Sequence, residues 1–300
     1  MTAFLTHGRI MGGVIATPDL DASLADYHGR LGLDLVEMAA VPTALADSWG
    51  APGVAGARMA TLQPASGAHC FLRLVEQPLP VGFKPTTTFG WGAYEITVQD
   101  VFSWRETLRD SGFRTIGEPR EIPSMPFFVA MQMLGHGDEM IYLNEVRMMM
   151  ANTDLPHAQS PIDHIFIVIL AAPDRKAAVA WYRDVLMMDE VDTHIIEYTM
   201  INKAFELPAG TTSALTMIQK GRMPIVEVDD YPAQAQHRDV GRGVLPPGNA
   251  LVSLAVDSLD PIDAQWIAPP QVHAGSLYGG RRSAMTVGPA GEWLELIECG

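Results

Sequence analysis

Cysteine is nearly missing from this 300-residue chain. Cys70 and Cys299 are the only two, and neither belongs to a CxxC pair. No disulfide framework and no thiolate metal site is therefore expected, and a cytoplasmic setting is the default. Basic residues are also few: 20 Lys and Arg stand against 35 Asp and Glu, for a net charge of -15. Such a field repels phosphate backbones and argues against a nucleic-acid partner. Long apolar runs are missing too. The longest, Ile165 to Ala172, is far short of the ~20 residues a membrane-spanning helix needs. Met1 to Arg9 carries no basic and apolar secretion signal. Neither Gly12-Gly13 nor Gly279-Gly280 has the strand-to-helix context of a phosphate loop, so no nucleotide cofactor is expected. What remains is an ordinary globular composition, 48% hydrophobic and 18% charged, long enough for two domains at roughly 150 residues each.

The chain repeats itself. Asp19, Tyr27 and Leu31 recur as Asp174, Tyr182 and Leu186 at one offset of 155, and Gly135, Glu139, Leu143 and Glu145 recur as Gly288, Glu292, Leu296 and Glu298 at 153. Two nearly equal offsets at opposite ends of a half indicate a tandem duplication. The join falls in the polar, Pro-containing stretch Met150 to Ser160, which predicts domains over 1–150 and 160–300. Each half divides again into a strand, a helix and about three strands. Asp100 is a candidate N-cap for a helix over Val101 to Arg109, and the fourth copy is the weakest, because Pro261 to Pro270 is too short and Pro-bounded for a long helix. Such modules are joined mostly by short turns. They predict an α+β fold in which paired βαβββ modules form two curled, mixed sheets with helices outside and a concave inner face.

Period two then picks out what faces the hollows. Trp293, Glu295 and Ile297 share one face of the last strand, and Ile162, His164, Phe166 and Val168 share one face of the strand that opens the second half. A carboxylate and an imidazole among apolar neighbours need a metal, a cation or a proton. Together they make two thirds of a facial metal triad. The same pattern also admits a solvent-facing Glu295 and a hydrogen-bonded strand-end His164.

These residues resemble the vicinal oxygen chelate (VOC) superfamily. Asp163-His164-Ile165-Phe166-Ile167-Val168 with Asp174, Trp181-Tyr182 and Leu186 looks like the opening of a module. Gly288-Pro289-Ala290-Gly291-Glu292-Trp293-Leu294-Glu295-Leu296 looks like its close. The superfamily includes glyoxalase I, extradiol dioxygenases, methylmalonyl-CoA epimerase and bleomycin-resistance proteins, and four modules in 300 residues most resemble the dioxygenase layout. The resemblance implies a divalent metal (Fe, Mn, Zn or Ni) in a C-terminal cup, with His164 and Glu295 as metal ligands. The middle ligand position falls near Asn249, where no histidine exists; His194, His237 and His273 are candidates from other registers. The matching positions of the first cup lie near Gly12, Arg73, Ala93 and Tyr142, none a good ligand.

The resulting expectation is a protein acting on a small oxygenated, aromatic or enolisable substrate by dioxygenase-, lyase- or isomerase-type chemistry. Glu295 and Tyr278 are the candidate catalytic groups; Trp293, Phe166, Arg281 and Asn249 are the candidate substrate contacts. Arg281 and Arg282 could bind an anionic group bidentately or pair with surface acids. The alternatives are a metal-free binding protein of the bleomycin-resistance type, with Trp49, Trp91, Trp293 and Tyr278 as stacking surface, and metal-free acid–base catalysis by Glu295. The Gly/Pro-rich stretch Val41 to Gly56 reads as a loop. A homodimer is left open by the sequence.

Overall fold

The computed structural model describes residues 6–122, 125–148 and 150–300; Met1 to Leu5 of the N-terminal reading lie outside them. Four modules follow one another. The first runs β1 (Ile10–Thr17), α1 (Leu20–Tyr27), β2 (Asp34–Ala40), α2 (Thr43–Trp49), β3 (Arg58–Gln63) and β4 (Phe71–Glu76). The second has β5 (Gly90–Val98), α3 (Val101–Thr107), β6 (Arg114–Ile122), β7 (Met125–Leu134) and β8 (Met140–Val146). In the third are β9 (Ile162–Ala172), α4 (Arg175–Asp184), β10 (Asp189–Ile196), α5 (Thr199–Ala204), β11 (Ser213–Lys220) and β12 (Met223–Asp230). The fourth keeps β13 (Gly248–Val256), β14 (Gln271–Val272), β15 (Arg282–Val287) and β16 (Trp293–Glu298), with no helix between β13 and β14. No helix among the described residues is long and apolar enough to cross a membrane.

The repeat landmarks are structural joints. Asp19 and Asp174 cap α1 and α4 by accepting from the amides of Ala22 and Ala177 at 2.9 and 3.0 Å, satisfying N–H groups that a helix start leaves unpaired. Tyr27 donates to Glu139 at 2.7 Å and Tyr182 to Glu292 at 3.1 Å. The second oxygen of each glutamate accepts from the tight turn before it, from the amides of Gly137 and Ala290. A helix near the start of each half is thereby fastened to the strand that ends it, which is why the ends of the halves match.

Burial pushes both carboxyls up to about 7, and the hydrogen bonds only partly offset this. A raised folded-state pKa stabilises the fold fully below the ordinary carboxyl range, and that contribution is lost as pH rises toward 7. The denaturation midpoint should therefore rise as pH falls from 8 to about 5.5. Tyr27→Phe, which leaves a buried carboxyl short of a donor, should cost about 1–3 kcal/mol, measured by urea unfolding at pH 7.

The sheets overturn one expectation. The halves do not close one cup each. β1 pairs antiparallel with β13, and β5 with β9, so the first sheet runs β14-β15-β16-β13-β1-β4-β3-β2 and the second β10-β11-β12-β9-β5-β8-β7-β6. One cup joins the first and last modules; the other joins the two middle ones. The convex faces share one core with α1, α3 and α4, built on Ile15, Tyr27, Ile96, Trp104, Val168 and Tyr182 among others. The backs of the sheets meet at Gly13, where a Cβ would lie 2.6 Å from the Tyr94 ring. From there the Tyr94 hydroxyl reaches the carbonyls of Val14 and Leu251 at 2.9 and 2.7 Å.

Val41 to Gly56 is not simply a loop either. Pro42 sits at the N-cap of α2 with φ -63°, and Gly50 closes the helix with φ 74°. The proline and glycine that suggested irregularity mark the helix ends.

Candidate functional site

The concave face of the first sheet is filled. Its core includes Met11, Val14, Trp49, Phe71, Leu251, Tyr278, Met285 and Trp293, and at its centre Arg73 of β4 meets Glu295 of β16 at 2.8 Å with both side chains 2% exposed. One oxygen of Glu295 accepts from Arg73 and from the Ser253 hydroxyl at 2.8 and 2.6 Å. The other accepts from Trp49 Nε1 and the Tyr278 hydroxyl at 3.0 and 2.7 Å. Burial by itself would raise this carboxyl; Arg73 and the three neutral donors more than offset it and hold Glu295 below the ordinary range.

The second cup is built differently. Glu95 of β5, Asn144 of β8, and Glu227 and Asp229 of β12 face its interior. Asn144 donates its amide to Glu95. Tyr198, just before α5, donates to Glu227 at 3.3 Å and lies 3.1 Å from the Tyr142 hydroxyl. Neither oxygen of Asp229 has a donor, though the residue is 1% exposed. None of the three acids forms an ion pair among the described residues. Burial, then mutual repulsion, pushes Glu95 and Asp229 well above the carboxylate range. Burial pushes Glu227 up to about 7 against the donation from Tyr198. At the rim of this cup a cavity of about 420 Å³ is bounded by Pro80 to Thr88, the end of α5 and Gln234 to Asp239. Phe205 lines it and packs edge-on against Tyr231 at 5.9 Å.

This architecture has solved counterparts. Glyoxalase I from Zea mays superposes over 97% of this chain and 92% of its own with a TM-score of 0.62 at 15% identity. A point mutant of that enzyme gives 0.63 at 16%, covering 97% and 94%. A candidate dioxygenase from Bacillus subtilis gives 0.60 at 10%, covering 98% and 86%. The chain has the vicinal oxygen chelate fold. At the level of sequence, no family model and no curated protein matches it.

A VOC-type metal does not fit the first cup. The Arg73 guanidinium occupies the place beside Glu295 that a cation would need; Ser253, Trp49 and Tyr278 donate to that same carboxylate, and His273 is the single imidazole beside them. Among the described residues no cluster of three or more His, Cys, Asp or Glu is arranged to hold a metal ion.

The pairing of β1 with β13 and of β5 with β9 separates His164 from Glu295. His164 lies on the second sheet, with Nδ1 2.9 Å from Asp163, while Glu295 lies on the first. The expected meeting of the two in a C-terminal cup is therefore corrected, because β9 pairs with β5 rather than with the fourth module. Phe166 is likewise on the second sheet, 6.3 Å from Phe128. Trp293 lines the first cup, and its carbonyl accepts from Trp91 at 2.8 Å. Asn249 ties the two sheets together through the backbone of Met140. Arg281 donates to the Tyr278 carbonyl at 3.2 Å, and Arg282 pairs with Glu298 and Asp260. Of the other histidines, His194 is exposed, His237 lines the rim cavity, and His273 stacks near Tyr278 at 5.3 Å. Tyr278, Glu295 and Trp293 of the expected set line one cup, and the first two are hydrogen-bonded.

Sequence reasoning passed over the second cup's acids. The signal was available. Ala93-Tyr94-Glu95-Ile96 and Ile225-Val226-Glu227-Val228-Asp229 place acids at alternate positions among apolar residues, the pattern that singled out Glu295.

Proposed function

We propose that the protein is an enzyme acting on a small oxygenated, enolisable molecule, and that its chemistry is metal-free proton transfer in the second cup. One observation carries this reading: Glu95 and Asp229 are buried there and Glu227 is half-buried beside them, none with a cation, whereas Glu295 in the first cup is neutralised by Arg73. A carboxyl near pKa 7 is matched to taking and returning protons at neutral pH. In the proposed step Glu227 removes a proton from the carbon beside a carbonyl, and the C–H electron pair moves onto the carbonyl oxygen. A hydroxyl of the Tyr142–Tyr198 pair donates to that oxyanion. Return of the proton to either face, or to the neighbouring carbon, gives an epimer or an isomer. The VOC fold and the likeness to glyoxalase I support a small-molecule substrate by analogy of fold.

The test is deuterium uptake from D2O into the carbon-bound protons of hydroxyacetone, followed by proton NMR. Uptake above the buffer rate that Glu227→Gln abolishes is expected. Uptake no faster than in buffer across pH 6–8 would sink the reading. The rim cavity of about 420 Å³, with Phe83 and Phe205 in its wall, favours a second reading, sequestration of an aromatic compound. Tight binding with no turnover would select it.

A further inference from the structure

We propose that the first cup is a binding site for a para-substituted phenol, and that its resident occupant is the chain's own Tyr278. This site is separate from the second cup, so either proposal can fail alone. The Tyr278 side chain is held as a ligand would be. Its residue is 2% exposed. The phenol hydroxyl donates to Glu295 at 2.7 Å and accepts from Arg73 at 2.7 Å, so both functions of the hydroxyl are read. The Arg73 guanidinium lies 5.7 Å from the Tyr278 ring centroid and 5.1 Å from that of Trp49, within the range in which a cation is drawn to a ring face. The His273 ring closes another side at 5.3 Å. Two buried nitrogens around the ring, Arg73 Nε and His273 Nε2, have no partner. The polar box therefore offers more than Tyr278 uses.

The segment that carries the tyrosine is built to come away. Gly275, Gly279 and Gly280 flank it with φ of 112°, 56° and 78°, a region other residues enter only at a cost. The backbone hydrogen bonds of Gly275 to Arg281 run within the turn itself, from Tyr278 and Gly279 to Gly275 and from Arg281 to Tyr278. From outside the turn its backbone is held by one long bond, from the His69 ring to the Leu277 carbonyl at 3.3 Å, and its other anchors are the buried side chains of Leu277 and Tyr278. Withdrawing Tyr278 would leave a fully charged Arg73–Glu295 pair without its phenol, which a free phenol of the same shape restores. The para position is where the tyrosine's own Cβ enters, so the ligand tolerates a substituent there.

Two measurements with p-cresol and toluene test this. In Tyr278→Gly, p-cresol should raise the melting temperature and bind at least tenfold more tightly than toluene, because only the phenol satisfies Arg73 and Glu295. In the unsubstituted protein, p-cresol should speed amide hydrogen exchange over residues 275–281 by displacing the turn, and toluene should not. Equal binding of p-cresol and toluene by a folded Tyr278→Gly overturns the proposal. So does unchanged exchange in the unsubstituted protein at p-cresol concentrations approaching its solubility, and that result alone decides if Tyr278→Gly does not fold.

Discussion

Glu295→Ala should destabilise the protein by about 3–5 kcal/mol, because it strands the guanidinium of Arg73 in a site from which water is excluded. Arg73 is 2% exposed and has no other acid in reach; its remaining partners are the hydroxyls of Ser253 and Tyr278. The loss should appear as a lower urea midpoint at unchanged slope. Arg73→Met combined with Glu295→Leu should recover at least about 2 kcal/mol relative to Glu295→Ala, since removing both charges removes the stranded one. Additive losses in the double variant would show that the pair does not act as a unit. The second cup should respond with the opposite sign. Glu95→Gln at pH 8 should be neutral or stabilising, because no cation compensates that carboxyl and Asn144 Oδ1, which has no partner, gains a donor.

Glu227→Gln should lower the rate of deuterium exchange into hydroxyacetone by about 10²–10⁴-fold, the usual weight of a positioned general base. The amide keeps the shape and can still accept from Tyr198, so the loss isolates proton abstraction from packing. The pH profile gives the sharper test. A base works only when ionised, and burial pushes Glu227 up to about 7. Exchange should therefore climb as pH rises from 5.5 through about 7 and level off above it. Tyr198→Phe, which removes a donor to the ionised form, should move the midpoint upward. A midpoint near the ordinary carboxyl value, or a flat profile, would count against Glu227.

The modules are legible in the sequence: Asp19, Tyr27 and Glu139 return as Asp174, Tyr182 and Glu292, and acids alternate with apolar residues along the strands. Those signals are local, or repeat at a fixed spacing, and short-range periodicity and hydrogen-bonding capacity are enough to carry them. Which first strands pair was decided only in three dimensions. The alternation of β1 suits β5 or β13 equally well, and the choice depends on long-range packing of two convex faces around Tyr94, Trp104 and Tyr182. That choice put Arg73 beside Glu295, 222 positions away, and carried His164 to the other sheet. It also left Glu95, Glu227 and Asp229 to share one hollow. Each acid could be read from its own strand, but whether a cation or another acid would face it is settled only when distant strands meet.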